Sequence, residues 1–201
     1  MRNIILFILL STSLFAGATT YMGYAFGINN EAFSKGSDET VTSDMMKLKF
    51  GYGIRDAYAI ELSVQKTNNK ASNIIDASAN PIQIKENTKY SVNIEFVKSW
   101  DLGIYILPLV KAGFGAGFID ISAQGKNLQG DPVPVSSLSF GSFNIGTGFY
   151  IPMGKHFDFE VIYDYRYQSY QNLDASTTST QKGPEFESQV HIGYIGLNYR
   201  F

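Results

Sequence analysis

The chain has 201 residues, 14% of them aromatic and 17% charged, with 16 basic against 18 acidic residues and no cysteine. That length suits one domain. The lack of cysteine excludes a disulfide framework and thiolate metal sites, and a formal net charge of −2 gives no electrostatic basis for binding nucleic acid.

The first segment reads as an export signal. Arg2 supplies a positive charge, Ile4 to Leu10 form an unbroken apolar run, and Ala16-Gly17-Ala18 fits the small-x-small cleavage pattern. The run is too short for a membrane helix, which takes about 20 apolar residues. We place cleavage after Ala18, dividing the chain into a signal peptide at 1–18 and one domain at 19–201.

From Thr19 onward the sequence alternates with period 2, the signature of strands with two different faces. The first predicted strand sets Met22, Tyr24, Phe26 and Ile28 against Tyr21, Gly23, Ala25 and Gly27. The second sets Met46, Leu48, Phe50 and Tyr52 against Lys47, Lys49 and Gly51. The third sets Tyr58, Ile60, Leu62 and Val64 against Ala59, Glu61 and Ser63. The fourth sets Tyr90, Val92, Ile94 and Phe96 against Lys89, Asn93 and Glu95. In the fifth, Val110, Ala112, Phe114 and Phe118 oppose Lys111, Gly113, Gly115 and Gly117. In the sixth, Phe143, Ile145 and Phe149 oppose Asn144, Gly146 and Gly148. In the seventh, Phe157, Phe159, Val161, Tyr163 and Tyr165 oppose Asp158, Glu160, Asp164 and Arg166. The eighth ends the sequence, with Ile195, Leu197, Tyr199 and Phe201 opposing Gly196, Asn198 and Arg200.

The connections alternate too. Those at Arg55-Asp56, around Ser99 to Ile104, and at Pro152 to Lys155 are short. Those at 29–43, 67–87, 120–138 and 169–187 are long and polar. Tight turns at one end and long loops at the other are the layout of an outer-membrane barrel. A secreted barrel with an apolar interior shows the same alternation. Three features favour the membrane. The charged residues share a face with glycines that cover an exterior poorly. Aromatics cluster toward both strand ends, as at membrane interfaces. The strands have the 9–11 residues, or slightly more, that a tilted crossing needs.

The stretches "LPLVKAGFGAGF" (107–118), "FNIGTGFYIPMGKHFDFEVIYDYRYQ" (143–168) and "GLNYRF" (196–201) carry a family resemblance. The domain resembles the small eight-stranded outer-membrane barrels of Gram-negative bacteria, the OmpA-like, porin-family outer membrane protein β-barrel domain. The fold this implies is all-β: an eight-stranded antiparallel up-and-down transmembrane barrel in the outer membrane. The ending resembles the C-terminal assembly signal of that class, at Tyr194, Gly196, Tyr199 and Phe201. The resemblance implies contact with the outer-membrane insertion machinery, with membrane lipid and with lipopolysaccharide.

Eight strands enclose a lumen just wide enough for side chains to fill. Inward charges must then pair. We expect Lys49 with Glu61 and Glu95 with Lys111, each across a short turn. We expect Asp158, Glu160, Asp164 and Arg166 to form a network with Lys47, Lys89 and Arg200. A filled lumen implies a structural or surface-interaction protein; the same network could instead line a narrow channel for small solutes.

A third reading is a lipid-modifying enzyme of the outer leaflet. Its one histidine at that depth is His191, with Glu187 and Ser188 near in sequence. No compact His-x-Ser arrangement accompanies it, and we expect no catalytic constellation, cofactor or metal site. The long loops are candidate contacts for host, phage or ligand, with Phe33, Tyr170 and Phe186 as anchors.

Overall fold

A computed structural model describes residues 17–33, 40–69, 72–75, 82–84, 87–126, 132–170 and 187–201. The export segment predicted at 1–18 lies outside these residues except for Gly17 and Ala18. Phe186 also lies outside them.

The described residues form strands β1 (Thr19–Phe33), β2 (Thr40–Gly53), β3 (Tyr58–Asn69), β4 (Ser72–Ile75), β5 (Ile82–Ile84), β6 (Asn87–Ser99), β7 (Leu107–Lys126), β8 (Pro132–Met153), β9 (Phe157–Tyr170) and β10 (Glu187–Arg200). Eight of them close into an antiparallel barrel in the order β1-β10-β9-β8-β7-β6-β3-β2. Closure pairs β1 with β10, from Tyr21 opposite Arg200 to Phe33 opposite Ser188. The remaining two, β4 and β5, form a separate hairpin within the predicted 67–87 loop.

Period-2 alternation fixes which side chain faces which way. Lys47, Asn93, Asp158 and Asp164 are fully buried, while Phe26, Ile28 and Ile94 are more than half exposed. The lumen therefore holds the charged and polar residues, with a smaller apolar set that includes Met45, Leu109 and Ile192, and the outer surface is apolar. That excludes the secreted barrel with an apolar interior, because an exposed apolar belt needs lipid to cover it. Tyr58 stacks on Phe96 near the short turns, and Tyr90 on Phe118 near the loops, each pair at 5.4–5.5 Å. These are the interfacial girdles of a membrane barrel.

The turns at one end are tight. Ile54 N–H donates to the Tyr58 carbonyl at 2.8 Å, closing β2 onto β3. Gly103 and Gly154 take φ of 71° and 77°, a left-handed conformation that glycine adopts without steric cost. The Gly103 N–H donates to Asp101 Oδ1 at 2.8 Å. At the other end the strands run further than the alternation suggested. Residues 29–33 and 40–43 of the first predicted loop are strand, as are 120–126 and 132–138 of the third. Apolar-polar contrast fades there because the outward residues, such as Asn30, Thr40 and Thr42, are polar, while backbone pairing continues. The β7–β8 hairpin runs past both its neighbours: β6 stops pairing at Thr88–Asp120 and β9 at Phe140–Tyr170.

Candidate functional site

The lumen is filled in layers, beginning at the short-turn end. Arg200 Nε donates to Asp158 Oδ2 at 2.6 Å, and its guanidinium lies over the Tyr21 ring at 4.6 Å. Arg55, from the β2–β3 turn, reaches Asp158 Oδ1 at 3.0 Å and also donates to the Gly154 and Lys155 carbonyls. One layer up, Lys49 lies 2.6 Å from Glu160 and 3.1 Å from Glu61. Tyr21 and Asn198 donate to the same two acids.

The middle layer joins five strands, β2, β6, β7, β9 and β10. Lys111 donates to Glu95 at 2.9 Å and to the Tyr194 hydroxyl at 2.7 Å. Asp164 accepts Lys111 at 3.2 Å, Arg166 at 3.3 Å and Lys47 at 3.7 Å. Lys47 also lies 3.2 Å from Glu95. Above it, Asn93 accepts from Arg166 and from Asn144. The layer nearest the loops is built on Lys89, which donates to both Glu31 oxygens, to Gln168 and to the Tyr170 hydroxyl.

Six cations (Lys47, Lys49, Lys89, Lys111, Arg166 and Arg200) face six acids (Glu31, Glu61, Glu95, Asp158, Glu160 and Asp164), all buried. Among the described residues the formal charges of the lumen therefore balance, and each charged layer holds both signs. Charges in this low-dielectric space repay their lost hydration only by pairing and hydrogen bonding. Glycine makes the room. A Cβ on Gly146 would strike Asp164 Oδ1 and Lys111, and one on Gly196 would strike Glu160 Oε1.

All eleven charged residues singled out from the sequence, Lys89 among them, lie inside the barrel. The pairs reach diagonally: Lys49 stands opposite Ser63 and Lys111 opposite Val97, and each long ammonium leans across to its acid. Lys89 takes Glu31 as its partner instead of an acid of β9. The four residues of the predicted assembly signal divide between the faces. Tyr194 and Gly196 point inward, while Tyr199 and Phe201 point outward and stack edge-on at 5.2 Å. Phe33 and Tyr170 are not loop anchors: both are buried, with rings 6.1 Å apart, and cap the lumen beside Phe140. Continued alternation past Asn29 into Phe33, and past Tyr167 into Tyr170, was the signal that could have placed them.

Sequence reasoning missed three contributors. Glu31 fell inside a predicted loop. Arg55 read as an ordinary turn residue. Tyr150, Tyr170 and Tyr194 are inward phenols that join Tyr21, which the alternation of the first strand had already set on the polar face. On the outer face, His191 Nδ1 shares a 2.6 Å hydrogen bond with the Tyr163 hydroxyl. Ser188 points the other way, into the lumen, and donates to Glu31 Oε1 at 2.6 Å. His191 and Ser188 are thus on opposite sides of β10 and form no nucleophile–base pair.

Among known proteins, the family model for the outer membrane protein beta-barrel domain matches residues 4–201. No curated protein matches the sequence significantly. Similar solved structures include Neisserial surface protein A, at 14% identity and a TM-score of 0.63, over 92% of this chain and 99% of that one. Ail of Yersinia pestis, solved in complex with the heparin analogue sucrose octasulfate, is 18% identical with a TM-score of 0.50 over 91% and 99%. The outer membrane enzyme PagL is 14% identical with a TM-score of 0.51 over 88% and 97%. A surface protein, a ligand-bound protein and an enzyme share this architecture, so the fold does not decide the activity. With its closed polar-cored barrel, apolar belt and family match over nearly the whole length, the chain belongs to the outer membrane protein β-barrel family and is an integral protein of the outer membrane.

Proposed function

We propose that this protein is a plugged, non-enzymatic barrel whose role is structural or surface-interacting, exercised through the connections between β1 and β2, β3 and β6, β7 and β8, and β9 and β10. The observation that carries this reading is the cross-lumen ion network. Lys49–Glu160, Lys111–Asp164 and Lys89–Glu31 span the interior at three successive heights. A narrow channel requires a continuous water path, and each of these layers crosses it. The opposed directions of Ser188 and His191 argue against a hydrolase. Ail, solved in complex with the heparin analogue sucrose octasulfate, supports ligand contact as a use of this scaffold, and exposed loops on a rigid frame are where such contacts concentrate. We also assign the outward pair Tyr199 and Phe201 as the part of the ending that the insertion machinery reads.

Planar-bilayer recording of the purified protein tests the plug. The expected result is a silent membrane; discrete, reproducible conductance steps would overturn it in favour of a narrow channel. Single-loop deletions scored for host-cell and phage binding test the surface role.

A further inference from the structure

The lipid-facing surface is not uniform. Across β6 to β9, two neighbouring rows of outward residues run Phe96–Ala112–Ile145–Tyr165 and Lys98–Val110–Thr147–Tyr163. The centre of these rows is low, because Ala112 and Thr147 are small, while Phe96 and the two tyrosines stand on either side. The result is a trough of about 400 Å³, within the roughly 300–1,000 Å³ of ligand clefts. Thr147 donates its hydroxyl to the Leu109 carbonyl at 3.1 Å, which satisfies it and leaves its methyl for the trough. His191 holds the Tyr163 hydroxyl at 2.6 Å and so fixes the far wall.

The trough has a direction. Toward the loops it is shut by Phe114 and Phe143, whose rings meet at 5.6 Å. Toward the short turns it ends at Lys98, whose ammonium sits over the Tyr58 ring at 4.0 Å and the Trp100 ring at 5.5 Å. Those aromatics belong to the periplasmic girdle, the depth of lipid phosphates. No carboxylate among the described residues pairs with Lys98, unlike the lysines inside the lumen. From Val110, beside Lys98, to Phe114 is four residues, roughly 13 Å along the strand at about 3.3 Å each. At a tilt of about 40° that is about 10 Å of depth, within one leaflet of a hydrocarbon core about 30 Å thick.

We propose that this trough is a binding site for one anionic glycerophospholipid of the periplasmic leaflet. One acyl chain lies along Val110, Ala112 and Thr147, and the phosphate meets the Lys98 ammonium. The three properties agree on that occupant. The lining is apolar, its closed end faces the loops, and Lys98, which pairs with no carboxylate among the described residues, stands at its open end where a phosphate would lie. Chains of the outer leaflet enter from the other side and meet the Phe114–Phe143 pair.

Native mass spectrometry of the full protein, titrated with phosphatidylglycerol or phosphatidylethanolamine, tests the site. One phosphatidylglycerol should be retained about fivefold more tightly than phosphatidylethanolamine, the contribution of one lysine near a lipid surface. Lys98→Gln should erase that preference. Ala112→Phe, which fills the trough, should reduce retention of both lipids. Both positions face lipid, so heat-modifiability on a gel should stay as in the wild type and serves as the folding control. Absence of a discrete adduct, a preference that survives Lys98→Gln, or full retention in Ala112→Phe would each sink the proposal. If either variant misfolds, wild-type protein with an acyl-chain photoreactive phosphatidylglycerol decides: crosslinks concentrated on 110–112 and 145–147 support the site, and crosslinks spread evenly around the barrel overturn it.

Discussion

Lys89 on β6 lies 2.8 and 2.9 Å from the two carboxylate oxygens of Glu31 on β1, three strands away around the barrel. Neither residue has another ion-pair partner among the described residues, so the pair can be dissected alone. Lys89→Met leaves a buried, unpaired carboxylate, and Glu31→Leu leaves a buried ammonium; each should destabilise by roughly 3–5 kcal/mol. The double variant should lose less than the sum, since it removes both charges together. Urea unfolding in lipid vesicles measures this, and strictly additive losses would show that the contact contributes nothing.

Gly146 and Gly196 are required by the charges beside them. Valine at either place drives a side chain into Asp164 and Lys111, or into Glu160. Backbone conformation is not the difficulty, because neither glycine has a positive φ. The expected penalty is overpacking of about 1–3 kcal/mol, enhanced where an ion pair is forced apart. The folded fraction seen by heat-modifiability should fall for Gly146→Val and stay near wild type for Gly141→Val, whose Cβ would meet open space.

Which face each residue takes was legible in the sequence, because a period of two admits no intermediate direction: reading Phe50 as outward commits Lys49 and Gly51 to the lumen. Strand ends were less legible. Thr40, Thr42 and Asn30 are polar and outward, so the contrast that marks the membrane span disappears there while the ladder goes on. Partner choice was hardest. Glu31 and Lys89 are 58 residues apart and meet only because the closed barrel brings β1 and β6 across the lumen. Sequence spacing across a tight turn finds neighbours such as Lys49 and Glu61, and it is silent on reach across a closed interior.

His191 offers a direct check of the non-enzymatic reading. Its ring is outward, hydrogen-bonded to Tyr163, and 5.3 Å from the Tyr165 ring. Those are the contacts of an interfacial aromatic cluster. Mass spectrometry of lipid A from cells expressing wild type, His191→Asn or no protein should give one common profile. A deacylated species present only with the wild type would establish a hydrolase.

Arg55 ties two turns together at the periplasmic mouth. Its Nη1 and Nη2 donate to the Gly154 and Lys155 carbonyls at 3.0 and 2.7 Å, and its Nε faces Asp158 at 3.0 Å. The three contacts use the planar fork of a guanidinium, which lysine cannot reproduce. The side chain is 23% exposed, so water offsets part of the interaction. Arg55→Ala should destabilise by about 1.5–3 kcal/mol, the range of hydrogen bonds to charged groups. Arg55→Lys should recover less than half of that loss. Because Asp158 keeps its 2.6 Å contact with Arg200 in either variant, the lumen should stay closed. Hydrogen exchange should then quicken at the 54–57 and 153–156 turns alone. Exchange that quickens throughout β9 would instead make Arg55 part of the network that holds the barrel interior.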